Sequence, residues 1–429
     1  MAATSVLPMC AETQVMAAKE LNVEDAVVLA FANNASLKQA AISLEAKRRA
    51  LGIAWNEALP SLTASGGLYQ SGTVSSAGSS TTYGMGELSL SLSLSASFGD
   101  DMKLAKLNYE SQLLGYQVTR NALELSIRKS FYNILLDTEN LKQAKQNIER
   151  EDESYKQTED KYKAGLASEL DYLTAKVNLE TLKPKEDAYA TTLENDMETF
   201  KNALGLDQDD DISLTGSLDL KDGAIRQIIE QAMAKRPTEN LSVATASKTL
   251  EIAKITHDSL YKSKLMPSLA LSAFAEPLMP LVSTTGNTSS AIATSATLAL
   301  SFPVGNFVPG SSAQESIAEA KDSEAVDDSK LADSIKTTQV SRKSDKRSVE
   351  NYQSTLSVLK LNVDLTQRAY DAAKAAYDKG LESLTDLQSA EGNLDSAKLS
   401  ALTEAYDLIA AILELESETG LPLETIGRL

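Results

Sequence analysis

The stretch "GELSLSLSLSASFGDD", which runs from Gly86 to Asp101, alternates between two kinds of side chain. Its even-numbered positions hold aliphatic residues, namely Leu88, Leu90, Leu92 and Leu94. Serines fill the positions between them. Because successive side chains of a β-strand point to opposite faces, the stretch predicts a strand with one aliphatic and one hydroxyl face. The aliphatic face must be covered either by protein or by lipid.

Composition limits what kind of protein this is. The chain has 429 residues, of which 42% are hydrophobic and 24% charged, a balance typical of folded proteins. Only 5% are aromatic, which favours narrow seams between helices over a thick globular core. The net charge of -19 argues against nucleic acid as a partner, because such a partner needs a cationic surface.

The N-terminus carries little folding information. Residues 1–20 are predicted to be a leader or an unstructured N-terminus, and they lack the basic segment of a complete export signal. The single cysteine, Cys10, allows no intrachain disulfide, and it is either a lipidation site or a passive leader residue. No apolar run approaches 18 residues, so the sequence predicts no transmembrane helix.

The chain contains an internal duplication. "ALPSLTASGG" around Pro60 matches "LMPSLALSAF" around Pro267. "YKAGLASELD" around Gly165 matches "YDKGLESLTD" around Gly380, and both have the form Y-x-x-G-L-x-S-x-x-D. Two paired landmarks in the same order predict two structural repeats.

Each repeat is predicted to contain two helices, two strands and a long helical hairpin. The repeats span residues 21–218 and 219–429. The strands are expected at about 60–70 and 86–98, and again at about 267–276 and 290–302. The hairpins are expected at about 101–205, with its tip near 165, and about 312–418, with its tip near 380. Serine-, threonine- and glycine-rich connectors between paired strands indicate exposed loops.

The hairpins carry a heptad pattern. In the first, apolar or tyrosine residues recur at every seventh position: Ile127, Ile134, Leu141, Ile148, Tyr155 and Tyr162. In the second, the same spacing gives Leu356, Val363, Tyr370 and Tyr377. This spacing is typical of helices that wind around each other. A helix of about 63 residues would be about 95 Å long.

Four strands per chain cannot close a barrel, yet unpaired strand edges are excluded from lipid. Closure becomes possible if several copies each donate four strands, and twelve strands from three copies would leave a water-filled lumen. The serines would then face water and the leucines lipid. The alternative is a strand that lies on a layer of helices.

This duplicated order of elements resembles the TolC-type outer membrane efflux protein family, over about residues 21–420. The resemblance implies an α+β membrane protein: a trimeric 12-stranded β-barrel continued by a long α-helical coiled-coil tunnel. It implies the outer membrane of a diderm bacterium, with the tunnel in the periplasm. It also implies a passive conduit of a tripartite efflux pump or type I secretion system. The implied partners are a periplasmic adaptor (membrane fusion protein) and an inner-membrane pump of the RND or ABC type.

The resemblance also assigns roles to residues. The hairpin tips would dock the adaptor through Gly165, Leu166, Ala167, Ser168, Gly380, Leu381, Glu382 and Ser383. The pore constriction would involve Asp386, Asp171, Tyr377 and Ser389. The family places a basic latch residue two positions after the second glycine, and this chain has Glu382 there. The expected pairing of that residue with Asp171 is therefore in doubt, or another cation replaces it.

Nothing in the sequence indicates catalysis, a cofactor or a metal site. His257 is the only histidine and Cys10 the only cysteine, so a His/Cys metal site is excluded. The sequence therefore predicts a non-enzyme. Two other interpretations stay open: a soluble coiled-coil scaffold, and the same channel architecture specialised for metal-ion efflux.

Overall fold

The computed structural model describes residues 19–72, 80–219, 222–283 and 290–423. Cys10 and most of the predicted leader lie outside these residues. Within the described ranges, every helix falls short of the length and apolarity that a membrane span requires.

The same order of elements occurs in both halves of the chain. The first half contains β1 (Lys19–Leu21), α1 (Val23–Asn33), α2 (Ala35–Ile53), β2 (Ser61–Gly72), β3 (Ser80–Leu94), α3 (Phe98–Lys163) and α4 (Glu169–Leu204). The second half contains β4 (Ile212–Leu214), α5 (Asp222–Ala234), α6 (Leu241–Leu265), β5 (Ser268–Ser283), β6 (Ala291–Ser301), α7 (Ser312–Asp378) and α8 (Leu384–Thr419). Short 3₁₀ turns span Ala54–Ala58, Pro237–Glu239 and Val304–Phe307.

The chain divides into two compact units, each drawing on both halves of the sequence. The sheet unit comprises Ala40–Gln117 and Leu241–Lys336. The helical unit comprises the described residues up to Gln39, together with Val118–Asn240 and the chain from Thr337 onward. The units therefore do not follow the two sequence repeats, because each long hairpin helix that leaves the sheet, α3 or α7, contributes to both.

The sheet unit holds an antiparallel sheet in the order β2-β3-β5-β6. Around Leu90 and Ser91, its register puts residues of one chemical type opposite each other. Leu90 lies opposite Leu62 on β2 and Ala273 on β5, so these three side chains share one face. The same face continues on β6, where Leu298 and Leu300 oppose residues of β5. The aliphatic face therefore extends over all four strands, including β5 and β6, whose sequences alternate less strictly than β3.

The opposite face of the sheet carries hydroxyl groups around Ser91, although Phe274 of β5 also lies on it, opposite Ser89 and Ser295. Ser91 lies opposite Ser61 on β2 and Ser272 on β5. The hydroxyls of Ser61 and Ser91 are hydrogen bonded at 2.7 Å. On β6, Ser295 and Thr297 continue this face.

The second strand ends earlier than the alternation suggests. The sequence places its end near 98, whereas β3 ends at Leu94 and α3 begins at Phe98. The hydroxyl of Ser97 donates to Asp101 Oδ2 at 2.8 Å, and the Asp100 N–H donates to the Ser97 carbonyl at 2.7 Å. Ser97 therefore serves the start of the helix, where serine is a favoured residue, and not the strand.

The helical unit contains a small sheet that the sequence does not predict. β1 pairs with β4 in parallel, with Leu21 opposite Leu214. Residues 19 and 20, assigned to the leader by the sequence, are thus part of a strand. Leu21 is buried in a core that also contains Phe131 and Phe200.

The heptad positions of α3 change from buried to exposed along the helix. Ile127 and Ile134 are each 1% exposed, whereas Tyr162, near the tip of the hairpin, is 39% exposed. In α7, Leu356 is buried and belongs to the same core as Ile127. The predicted heptad residues therefore pack into the core far from the hairpin tip and are more exposed near the tip.

Candidate functional site at the hairpin tips and on the sheet

The two hairpin tips have the same backbone geometry. Gly165 and Gly380 have φ angles of 73° and 72°, a left-handed conformation that favours glycine. The Leu166 N–H donates to the Lys161 carbonyl at 2.8 Å, and the Leu381 N–H donates to the Ala376 carbonyl at 2.9 Å. These bonds form the glycine-centred Schellman motif, which explains why both copies of the repeated sequence keep a glycine followed by leucine.

Each tip presents an exposed leucine. Leu166 and Leu381 are 80% and 76% exposed, respectively. Glu382, next to Leu381, is also exposed, and Ala167 is half-buried. Ser168 and Ser383 are the N-caps of α4 and α8.

Asp171 and Asp386 stand at equivalent places in the first turn of α4 and α8. Asp171 Oδ2 accepts hydrogen bonds from the Ser168 N–H at 3.1 Å and from the Ser168 hydroxyl at 2.7 Å. Asp386 Oδ2 accepts one from the Ser383 hydroxyl at 2.6 Å. Both aspartates therefore stabilise a helix start, a position that the helix dipole also favours. Ser389, one turn beyond Asp386, is exposed.

Tyr377 has a different partner from the expected latch. The Lys161 ammonium lies over its ring, 4.5 Å from the centroid. This contact joins α3 of the first hairpin to α7 of the second and is a cation–π interaction. The cation in this contact is a lysine four residues before Gly165, and its partner is the ring of Tyr377.

A second and stronger link joins α3 to α8. Arg150 Nε donates to Glu391 Oε1 at 2.7 Å, and Arg150 Nη2 donates to Asp395 Oδ1 at 2.8 Å. Asn147 accepts a further bond from Nη2 at 2.6 Å. Burial opposes the charge on Arg150, but the bonds to the two carboxylates outweigh burial and raise its pKa. No spacing pattern in the sequence marks this site, because Glu391 and Asp395 lie more than 200 positions away from Arg150.

Glu151, the next residue of α3, is a buried carboxyl. It is 4% exposed and accepts a hydrogen bond from Gln388 Nε2 at 3.1 Å. Burial, together with the charge of Glu391, raises its pKa to about 7, while hydrogen bonds from Gln388 and Asn178 oppose that rise. Charge on Glu151 is therefore unfavourable in the folded hairpins.

The raised pKa of Glu151 makes stability depend on pH. The folded protein keeps this proton up to about pH 7, whereas the unfolded chain loses it near the ordinary value of 4.5. Between these values the folded state binds more protons, so the free energy of unfolding falls as pH rises and then levels off. The total loss is on the order of 3 kcal/mol.

Glu151→Gln should remove this dependence, because glutamine stays neutral and still accepts the bond from Gln388. We expect the variant to gain thermal stability over the native protein at pH 8 but not at pH 4.5. The measurement is the unfolding temperature in detergent at both pH values. Glu149→Gln, an exposed position on the same helix, is the control and should change neither value. If Glu151→Gln and Glu149→Gln change the unfolding temperature equally at both pH values, Glu151 is not the source of the pH dependence.

The aliphatic face of the sheet is open in the single chain. Leu88 is 49% exposed, and Leu90, Leu92 and Leu94 are half-buried among their strand neighbours. On the outer strands Leu62 and Leu300 are exposed. An uncovered aliphatic surface of this extent indicates an interface with lipid or protein.

Sites for catalysis or metal binding do not emerge from the described residues. Among them, no group of three or more His, Cys, Asp or Glu side chains is placed to hold a metal ion. His257 is half-buried and lies 3.5 Å from the carboxylate of its neighbour Asp258.

The sequence matches the family described as "Outer membrane efflux protein" over residues 26–206 and 240–421. These two segments cover most of the chain and follow its two halves. The chain therefore belongs to the outer membrane efflux protein family, whose members are transport channels of the TolC type. This makes the protein an outer membrane efflux channel component. A search of curated protein sequences finds no match.

Solved structures share the fold at low sequence identity. The Campylobacter jejuni CmeC outer membrane channel matches with a TM-score of 0.74 and 18% identity, covering 93% of this chain and 85% of that one. The open state of the Neisseria gonorrhoeae MtrE outer membrane channel matches with a TM-score of 0.75 and 16% identity, covering 94% and 89%. A membrane protein from Pseudomonas aeruginosa gives 0.77 and 16%, covering 93% of each chain.

Proposed function

We propose that three copies of this chain form a passive outer membrane channel that serves a tripartite efflux pump or a type I secretion system. The observation that carries the proposal is the four-stranded sheet with an aliphatic face, a hydroxyl face and two open edges. Such a sheet is suited to a wall between lipid and water. The cargo would be small molecules or proteins supplied by an inner-membrane pump.

The edges of the sheet require other copies. In the described residues, β2 and β6 each pair on one side only. Unpaired backbone groups are excluded from lipid, so β6 of one copy would pair with β2 of the next. The two edges differ, so the contact is heterologous and must close into a ring. Three copies would give a 12-stranded barrel wide enough for an aqueous lumen.

The helical unit also has two unlike free surfaces. On α4, an exposed apolar stripe consists of Leu170, Leu173 and Val177. On α7, a second exposed stripe consists of Val358, Leu361 and Leu365. Both stripes have the three- and four-residue spacing of coiled-coil seams. They would be buried against neighbouring copies in a periplasmic helical tunnel.

The tips would contact the partner proteins. An adaptor of the membrane fusion type would dock at Gly165, Leu166, Ala167 and Ser168, and at Gly380, Leu381, Glu382 and Ser383. The support is the pair of exposed leucines, each on a glycine turn with the same backbone geometry. The adaptor would in turn connect the channel to an RND or ABC pump of the inner membrane.

The constriction would lie beside the second tip. Asp386 from three copies would form an acidic ring that concentrates cations and repels anions. Tyr377 and Ser389 would lie close to it, whereas Asp171 would face a neighbouring hairpin. Support comes from the exposure of Asp386 and from its position in the first turn of α8.

Reconstitution in planar bilayers tests the channel and its constriction together. The detergent-solubilised protein should have the mass of three chains and give discrete currents that prefer cations. Asp386→Asn should reduce that preference and weaken block by a trivalent cation, while asparagine can still accept the bond from Ser383. Asp171→Asn is the matched control and should leave both unchanged. A detergent-free monomer without channel activity would refute the proposed function. If Asp386→Asn leaves cation preference and trivalent-cation block unchanged, the constriction does not lie at Asp386.

A further inference from the structure

A groove runs along α3 where α4 and α8 pack beside it, within the helical unit. It consists of two adjoining cavities of about 560 and 430 Å³. Four lining residues belong to both cavities: Asn147, Leu182, Gly392 and Asp395. From Asn140 at one end to Glu151 at the other, the groove follows α3 for about 16 Å. We call this surface the α3 groove.

Two buried amide oxygens line the Asn140 end of the α3 groove. Among the described residues, Asn140 Oδ1 and Gln143 Oε1 have no hydrogen-bond partner, and both atoms are shielded from solvent. The exposed Lys185 lines the same cavity, yet its ammonium donates to neither oxygen. Buried polar atoms in native proteins are nearly always hydrogen bonded, because an unsatisfied one is unfavourable. This end of the groove therefore favours a ligand that donates hydrogen bonds.

Carboxyl groups line the other end of the α3 groove. Glu151, Glu391 and Asp395 all line the smaller cavity. Arg150 forms ion pairs with Glu391 and Asp395, so these two have a cationic partner. Glu151, which is 4% exposed, has no such partner in the part of the chain that the structure describes. A ligand cation at this end would pair with the one lining carboxyl that the protein leaves without an ion pair.

The middle of the α3 groove is largely apolar. Ala144 of α3, Leu182 of α4 and Gly392 of α8 line it. A Cβ added at Gly392 would meet open space. Asn147 is the polar residue of this stretch, and its amide oxygen already accepts a bond from Arg150. Methylene groups suit such a surface, because they leave water favourably and need no hydrogen bonds.

The α3 groove is separate from the surfaces assigned above. The α4 residues that line it are rotated as a group by about a quarter turn around the helix from the apolar stripe of α4. A neighbouring copy that covers the stripe therefore need not cover the groove. Ser389 lines the smaller cavity, but Asp386 lines neither. Asp386 can thus be replaced without changing the lining of the groove.

We propose that the α3 groove binds a linear polyamine. One ammonium group would donate to the Asn140 and Gln143 oxygens, the methylene chain would lie over Gly392, and another ammonium group would pair with Glu151. Ammonium groups fit both ends, because each carries a positive charge and three hydrogen-bond donors. The site is formed by a single chain, so it does not rest on the proposed assembly of three copies. A bound polyamine would contact α3, α4 and α8 together and stabilise their packing.

Binding should release a proton from Glu151. Burial and the charge of Glu391 raise its pKa to about 7, while hydrogen bonds from Gln388 and Asn178 and the charge of Arg150 oppose that rise. An ammonium group beside Glu151 favours the ionised carboxylate, and aliphatic amines stay protonated up to about pH 10. The affinity should therefore increase about tenfold from pH 6 to pH 8 and then level off.

Calorimetric titration of the detergent-solubilised full chain with spermidine tests the site at both pH values. Gly392→Leu fills the middle of the groove and should abolish binding. Gly223→Leu on α5 is the matched control, because a Cβ there also meets open space, and it should bind as the native protein does. Glu151→Gln should bind more weakly and equally at pH 6 and pH 8. Asp386→Asn should retain native binding, which separates the groove from the proposed constriction.

Several results would overturn the proposal. If Gly392→Leu binds spermidine like the native protein, the ligand does not occupy the α3 groove. If hexylamine binds as tightly as spermidine, or Mg²⁺ displaces spermidine at equal charge concentration, only diffuse attraction to an acidic chain is present. If spermidine does not bind, water satisfies the two amide oxygens. Planar-bilayer currents test the proposed function independently, because a channel whose groove binds no polyamine would still conduct.

Discussion

Leu90→Arg is expected to abolish assembly of the protein in the membrane. Leu90 shares the aliphatic face with Leu62 and Ala273, its partners on the adjacent strands. If that face contacts lipid, an arginine near the middle of the bilayer costs about 2–4 kcal/mol in each copy. A ring of three copies would pay this cost three times. The measurement is the amount of protein in the outer membrane fraction that carries the mass of three chains.

Ser91→Arg is the matched control, because it places the same side chain one position along the same strand but on the other face. It removes the hydrogen bond between the Ser61 and Ser91 hydroxyls, which contributes about 1 kcal/mol, and it leaves the charge in water. We expect this variant to assemble. If both variants lose assembly equally, the sheet does not separate lipid on one face from water on the other. Normal assembly of Leu90→Arg would contradict this interpretation as well.

Arg150→Met is expected to loosen the contact between the two hairpins. It leaves Glu391 and Asp395, 14% and 18% exposed, without the cation that joins them to α3. Burial raises the pKa of Asp395, and Arg150 opposes that rise. Without the arginine, nothing offsets the unfavourable burial of the Asp395 charge. Loss of one partner from a buried ion pair costs about 3–5 kcal/mol, and we expect the lower end because Arg150 keeps some solvent contact.

Hydrogen exchange of the α8 segment around Glu391 measures this loss directly. A cost near 3 kcal/mol corresponds to an increase of about 100-fold in the local opening equilibrium. Lys142→Met on the same helix is the control, because Lys142 pairs with Glu139 only at the surface, where such pairs contribute at most about 0.5 kcal/mol. Unchanged exchange in Arg150→Met would mean that the hairpins are held together by other contacts.

Local patterns allow the principal elements of this fold to be predicted. The period of two around Leu90 and the period of seven through Ile127 each follow from how side chains project from a strand or a helix. Repetition of the Gly165 turn at Gly380 adds the duplication, because only glycine fits the left-handed turn at low cost. These signals lie within short stretches of sequence, which is why they can be read without a structure.

Features made by distant residues could not be predicted in the same way. β1 and β4 are three residues long, too short to show a period, and they meet across nearly 200 positions. The sequence shows that Glu382 cannot serve as a cationic latch, but it does not reveal that the Lys161 ammonium lies over the ring of Tyr377. Arg150 likewise looks like any surface cation of a long helix. Such contacts depend on the alignment of two helices, which heptad spacing alone leaves open.

A scan of β3 by single spin labels tests the central claim, that this sheet separates lipid from water. Cys10→Ser first removes the only cysteine, and one cysteine is then introduced at each position from 88 to 94 in turn. In reconstituted protein, even positions should be accessible to oxygen, which concentrates in lipid, and odd positions to a water-soluble nickel complex. We expect this alternation at every position from 88 to 94. Uniform access of the nickel complex to both faces, or the reverse alternation, would contradict it.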